Sequence, residues 1–80
     1  MSLSDFEQQL RAHFPDCQVS LQSDGNHYQA IVIGECFAGL SKVRRQQMVY
    51  AALSGPLADG SIHALHIKAH TADEWAALQS

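Results

Sequence analysis

The sequence predicts an α+β fold in which helices cover one face of a three-stranded sheet. Two observations support this prediction. The spacing of apolar residues switches between the period of a helix and that of a strand, and the segments follow one another in the order α-β-β-α-β-α. The chain has 80 residues, enough for one domain with a modest core. We therefore expect a single domain over residues 1–80, with the second face of the sheet comparatively open.

The first predicted element is an amphipathic helix of about ten residues. Ser4–Glu7 has the spacing of a capping box, with a hydroxyl at the N-cap and a carboxylate three residues on. Phe6, Leu10 and Phe14 then recur every four residues, which places them on one helical face. Pro15 should end the helix.

A β-hairpin is predicted next. Apolar and polar residues alternate from Cys17 to Gln22, which indicates a strand with one buried and one solvated face. The stretch Ser23–Asn26 has turn composition. His27–Ile33 is rich in β-branched and aromatic residues and forms the returning strand, which Gly34 ends.

The second half of the chain predicts a helix, a strand and a short helix. The helix covers about Ser41–Leu53, and Gly55-Pro56 should break it, with one further turn before Gly60. The alternation in Ile62–Ala69 predicts the third strand. Thr71–Glu74 is a second capping box, which opens the C-terminal helix.

Composition narrows the class of protein. The formal net charge is −3, which disfavours a dedicated nucleic-acid binder. Neither a secretory signal peptide nor an apolar run long enough to cross a membrane is recognised, so a cytoplasmic location is expected. The sequence contains no nucleophile–base set, phosphate-binding glycine loop or zinc-ligand pattern, so we expect a binding protein and not an enzyme.

Three stretches, in the same order along the chain, resemble the BolA family. Gly25–Ile31 resembles its hairpin, and Phe37–Tyr50 resembles its central loop and helix, including the paired arginines. Ile62–Ala69, followed by Thr71–Trp75, resembles its last strand and the start of the next helix. The glutamine pair after the arginines makes the chain most similar to the IbaG-like, acid-stress branch. The resemblance covers nearly the whole chain.

This resemblance implies a fold like the type II KH domain and partnership with a monothiol glutaredoxin. The heterodimer would hold a two-iron, two-sulfur (2Fe-2S) cluster together with glutathione, for cluster trafficking or sensing. His63 matches the histidine that the family uses as a cluster ligand. His27 lies where the family places a second ligand. The plainer interpretations are a strand-end imidazole bonded to a carbonyl and a turn histidine without a role.

Two further groups could bind a ligand. Lys42, Arg44 and Arg45 lie in the first turns of a helix, where cations are locally unfavourable, so they predict a site for an anion or an acidic partner; the alternative is a solvated helix face. His66 and His70 are four residues apart, but in a strand this spans about 13 Å. They are therefore interpreted as polar residues of the open sheet face.

The two cysteines are too few for a disulfide framework and lack CxxC spacing. Cys17 shares the apolar parity of the first strand, which predicts a buried small side chain. Cys36 lies in the loop before the central helix. A reactive thiol is one interpretation of it, against which stands the neighbouring Glu35 carboxylate.

Two other functions remain open from the sequence. One is a KH-like nucleic-acid-binding regulator that contacts phosphate through the Lys42–Arg45 segment, although Phe37–Leu40 is not a GxxG loop. The other is an interaction protein that responds to pH through its five histidines. Self-dimerisation is also left open.

Overall fold

The computed structural model of the chain describes residues 3–25, 27–58, 60 and 64–79. Its elements follow the predicted order, with one additional short helix after the central one. They are α1 (Leu3–His13), β1 (Gln18–Asp24), β2 (His27–Ile33), a 3₁₀ turn (Glu35–Phe37), α2 (Lys42–Ala52), α3 (Ser54–Ala58), β3 (Ala64–His70) and α4 (Ala72–Gln79).

The three strands form one mixed sheet in the order β1-β2-β3. β1 and β2 pair antiparallel, with Asp24 opposite His27 next to the turn. β2 and β3 pair parallel, with His27 opposite Ala64 and Ile33 opposite His70. Parallel pairing requires a long crossover, which the chain from the 3₁₀ turn to α3 supplies.

The hydrophobic core lies between the helices and one face of the sheet. Its buried members are Phe6, Leu10 and Phe14 of the first helical segment, Val19, Leu21, Ala30, Val32 and Ala69 of the strands, and Phe37, Val49 and Leu53. Because side chains alternate along a strand, the residues that flank these core positions on each strand face the other way. The predicted α+β fold, with helices on one sheet face, is confirmed.

The start of α1 differs from the prediction. Ser4 is not the N-cap, because the helix already includes Leu3, whose side chain packs against the core. Glu7 has a different role from the predicted cap. It pairs with Arg11 at 2.8 Å and accepts a hydrogen bond from the Leu21 amide at 3.4 Å.

The central helix begins where predicted. Ser41 is its N-cap, since the Ser41 hydroxyl oxygen accepts a hydrogen bond from the Arg44 amide at 3.2 Å. α2 ends at Ala52, and α3 begins at Ser54, earlier than the predicted turn at Pro56. A proline in the first turn of a helix removes no intrahelical hydrogen bond, so α3 tolerates it.

The capping box at the start of α4 is confirmed. The Glu74 amide donates to the Thr71 hydroxyl at 3.2 Å, and the Thr71 amide donates to Glu74 Oε1 at 2.9 Å. Within the described ranges, the chain contains no helix of the length and apolarity needed to span a membrane.

Candidate functional site

His27 lies on the open face of the sheet. It is the first residue of β2, it is exposed, and it follows the turn in which Gly25 has a left-handed φ of 64°. Around it is a shallow depression of about 300 Å³. The depression is lined by Gln22, Ser23, Asp24, His27, Tyr28, Gln29, His66 and Lys68.

The residue predicted as the first metal ligand, His63, lies outside the described residues. It directly precedes Ala64 in the sequence, and Ala64 is the register partner of His27. The two predicted ligands are therefore 36 residues apart in the sequence, while His27 and the neighbour of His63 lie on adjacent strands. The ligand roles of both histidines stay predictions.

The other two described strand histidines differ in their surroundings, and of the two only His66 lines the same depression as His27. His66 is exposed beside Gln29, whereas His70 is half-buried, with its ring centroid 5.9 Å from that of Trp75. His70 Nδ1 lies 3.9 Å from a Glu74 carboxylate oxygen. No group of three or more metal-binding side chains occurs in the part of the chain that the structure describes.

Arg45, one of the three predicted anion-binding cations, is engaged within the protein. Its guanidinium donates to Glu74 at 2.6 and 3.1 Å, to the Ala69 carbonyl at 3.1 Å and to the Leu40 carbonyl at 3.1 Å. These four bonds use four of the five N–H donors of the group. Arg45 therefore connects α2 to β3 and α4, and only one N–H donor of its guanidinium is left for a partner.

The same ion pair changes the acidity of Glu74. The hydrogen bonds from Arg45, reinforced by the Thr71 amide, lower the pKa of the Glu74 carboxyl from its ordinary 4.5 to about 2. The bond to Glu74 also raises the pKa of the Arg45 guanidinium. Both groups are therefore charged throughout the physiological pH range.

Lys42 and Arg44 are placed differently from Arg45. Both side chains are exposed at the start of α2, and neither forms an ion pair with another described residue. They therefore leave two cations beside a helix N-terminus available to a partner.

The outer edge of β3 connects these features. Ala69 directs its carbonyl outward to Arg45, whereas His70 accepts a bond from Gly34 on the β2 side, so Leu65 and Ile67 also direct their backbone groups outward. A groove of about 1070 Å³ runs beside this edge. Its lining includes Leu40, Lys42, Arg45, His66, Ile67, Trp75 and Leu78.

The predicted histidine and cation sites are not one compact cluster. His27 lies beside Ala64, and Arg45 binds Ala69, five residues further along β3. At about 3.3 Å per residue, these points are about 16 Å apart. The two sites therefore lie near opposite ends of β3, with His27 on the neighbouring strand β2 and the cations on α2.

The sequence did not predict that the two cysteines meet. Cys17 and Cys36 are both free, and their Sγ atoms lie 3.5 Å apart. Cys17 is half-buried and not fully buried as predicted, because its sulfur faces the exposed Cys36. Burial and the hydrogen bond with Cys36 raise the pKa of the Cys17 thiol to about 11. Without a CxxC spacing, no local signal could have indicated the contact.

A family model and a related sequence both place the chain in the same protein family. The family model described as BolA-like protein matches residues 5–74. The acid stress protein IbaG of Escherichia coli K12 is 49% identical over 59 residues, which are 74% of this chain and 70% of that protein.

Solved structures give the same result for the fold. A BolA protein homologue from Coxiella burnetii superposes with a TM-score of 0.76 at 32% identity, covering 95% of this chain and 97% of that one. The BolA domain of SufE1 from Arabidopsis thaliana superposes with a TM-score of 0.77 at 25% identity, covering 90% of this chain and 93% of that one.

Proposed function

The chain belongs to the BolA family, and we propose that it binds a monothiol glutaredoxin and shares a bridging 2Fe-2S cluster with it. Its cellular role would be the assembly or trafficking of such clusters, or iron, redox and acid-stress regulation. The observation that carries this proposal is the exposed position of His27 at the start of β2. Its register partner is Ala64, the residue that follows His63 in the sequence.

The donor groups suit a shared cluster better than a cluster held by this chain alone. Neutral imidazole is a known ligand of two-iron clusters, as in Rieske centres. His27 and His63 would supply two such donors, and the described residues contain no group of three or more metal-binding side chains. A site with two ligands is incomplete, which is why the proposal requires a partner with a cysteine and bound glutathione. When bound, the cluster would supply iron, sulfide and a one-electron redox couple.

The free edge of β3 is the proposed docking surface. His27 lies on the neighbouring strand β2, opposite Ala64 at the N-terminal end of β3. Lys42 lines the groove beside the edge, with exposed Arg44 two residues further along α2, and the outward backbone groups of Leu65 and Ile67 belong to the edge itself. A standard interface buries about 800 Å² per partner, a patch about 28 Å across. One partner can therefore cover both ends of the 16 Å span. Lys42 and Arg44 would attract carboxylates of glutathione or of the partner.

The proposal is tested by anaerobic reconstitution of the cluster with a monothiol glutaredoxin and glutathione, followed by gel filtration and visible circular dichroism. We expect co-elution and a spectrum distinct from that of the glutaredoxin alone. His63→Ala and His27→Ala should each alter this spectrum. His66→Ala, which removes an exposed histidine of the same sheet face as His27, should not. Absence of co-elution would exclude the partnership. Co-elution with an unchanged His63→Ala spectrum would exclude the ligand assignment.

A second candidate function is nucleic-acid binding through the KH-like fold. One observation favours it, namely that Lys42 and Arg44 are exposed and make no ion pair within the described ranges. This function predicts affinity for a nucleic acid that falls steeply with salt and is weakened by Lys42→Ala and Arg44→Ala. Binding of a glutaredoxin that depends on iron and glutathione would favour the first function.

A further inference from the structure

The two cysteines of this chain lie in contact although 19 positions separate them. Cys17 directly precedes β1, and Cys36 lies in the 3₁₀ turn after β2. Their Sγ atoms are 3.5 Å apart, and the Cys36 side chain is exposed to solvent. A disulfide needs about 2.05 Å between the sulfurs, so an approach of about 1.5 Å would close the bond.

The backbone on both sides holds the two thiols in place. The Cys17 amide donates to the Phe14 carbonyl at 3.1 Å, and the Gly34 amide donates to the His70 carbonyl at 2.9 Å. These bonds attach the two cysteine segments to the end of the first helix and to the sheet. The contact between the sulfurs is therefore set by the fold.

Gly34 makes room for the pair. Its φ is −176°, an extended conformation that any residue can adopt, so the backbone does not require glycine there. A Cβ at this position would overlap Cys17 Sγ, far inside van der Waals contact. The missing side chain at position 34 thus leaves space for a sulfur atom beside Cys36.

We propose that Cys17 and Cys36 form a reversible intramolecular disulfide by thiol–disulfide exchange with a low-molecular-weight disulfide such as glutathione disulfide. This modification site is separate from the proposed cluster site and does not depend on it.

The exchange balances in two steps. The thiolate of exposed Cys36 attacks one sulfur of glutathione disulfide, forming a mixed disulfide and releasing one glutathione thiolate, which takes up a proton. Cys17 then loses its proton to solvent base and attacks Cys36 Sγ, so that the second glutathione leaves and is protonated. The two protein thiols lose two electrons and two protons, and one glutathione disulfide becomes two glutathione molecules.

The environment of Cys17 disfavours this residue as the first nucleophile. Its sulfur is half-buried, and its pKa is raised by burial, by the hydrogen bond with Cys36 and by the nearby Asp16 carboxylate. Loss of the Cys36 thiol in the mixed disulfide removes the Cys36 contributions to that rise. Cys36 is therefore the residue that attacks glutathione disulfide, and Cys17 is the resolving residue.

The test uses the whole chain in glutathione redox buffers, quenched with acid, alkylated and weighed by intact mass spectrometry. The wild type should lose two hydrogens and retain no glutathione. Cys17→Ser should retain one glutathione on Cys36, and Cys36→Ser should react about tenfold more slowly because the remaining thiol is half-buried. Equal glutathione adducts on the wild type and Cys17→Ser would overturn the proposal, as would disulfide-linked dimers in place of the internal bond.

Two further measurements separate a disulfide held by the fold from accidental pairing. The equilibrium constant for ring closure should be about tenfold or more higher in native buffer than in urea, and equal constants would overturn the proposal. The oxidised protein should melt about 10 °C above the reduced one, a shift that Cys17→Ser lacks.

The role of Gly34 is tested by Gly34→Ala. This variant should close the ring several-fold less favourably than Gly55→Ala, where an added Cβ meets nothing within 4 Å. Far-ultraviolet circular dichroism checks that both variants fold. Equal closure by the two folded variants would contradict the role given to Gly34, and the cysteine variants decide the disulfide itself if Gly34→Ala does not fold.

Discussion

The two ends of β3 are built differently. At the C-terminal end, hydrogen bonds satisfy three backbone groups, namely the Ala69 carbonyl, the His70 carbonyl and the Thr71 amide. Arg45 and Glu74 form an ion pair beside them. At the N-terminal end, Ala64 is the register partner of His27, an exposed histidine in a shallow depression lined by polar residues. We call these the held end and the open end.

This difference indicates that the two ends of the strand have different roles, one in stability and the other in binding. Polar groups at the held end are satisfied internally and keep α2, β3 and α4 together. At the open end the imidazole of His27 is accessible to solvent. This accessibility is required of a ligand in a metal site that a partner protein completes. The predictions below test these two roles, beginning with the largest expected effect.

The core behind the held end should dominate stability. Phe37 is fully buried in the 3₁₀ turn, and its ring centroid lies 5.7 Å from that of Phe14. Phe37→Ala should lower the free energy of unfolding by about 3–5 kcal/mol, because it removes buried apolar surface and leaves a cavity. The measurement is urea denaturation, with His66→Ala as the control. At its exposed site on the open face, that substitution should change stability by less than about 0.5 kcal/mol. Equal losses in both variants would remove the distinction between the two faces.

Arg45 and Arg44 should separate stability from binding. Arg45→Met leaves the carbonyls of Leu40 and Ala69 and the Glu74 carboxylate without their guanidinium partner, and should lower the free energy of unfolding clearly more than Arg44→Met does. Arg44→Met removes an exposed cation and should leave stability within about 0.5 kcal/mol. Arg44→Met should instead weaken glutaredoxin binding. A larger stability loss for Arg44→Met than for Arg45→Met would contradict the assignment.

Acid should weaken the held end in a defined pH window. The pKa of Glu74 is lowered to about 2 in the folded protein, so the stability it contributes is present above its ordinary pKa of 4.5 and is lost as pH falls through about 2. The wild type should therefore be more stable than Glu74→Gln above about pH 5, and the difference should vanish near pH 2. Thermal melts of both proteins across this range give the result. A difference that persists unchanged to pH 2 would show that the charge of Glu74 is not its cause.

Local patterns were sufficient for most elements and insufficient for the contacts between them. The bounds of β2 and the Thr71 capping box follow from residue type and spacing over a few positions, and both were predicted correctly. The start of α1 was predicted wrongly, because burial of Leu3 extends the helix past the polar signal at Ser4.

Contacts that depend on tertiary structure could not be predicted from local sequence patterns. Arg45 and Glu74 are 29 positions apart, and nothing local distinguishes Arg45 from Arg44 as the structural cation. The cysteine contact was missed for the same reason. The histidine site was predicted only from the family resemblance. The alternation of residues places His27 on a sheet face but does not indicate that it is a metal ligand.

The central claim is that the open end of β3 is where the cluster binds. The most direct test is an amide NMR spectrum of the ¹⁵N-labelled protein in its glutaredoxin heterodimer, recorded with and without the cluster. The paramagnetic cluster should broaden the amide signals of Gly25, His27 and Leu65 beyond detection, while those of Arg45, His70 and Thr71 remain. Loss of signals at the held end with an unaffected His27 would contradict the account.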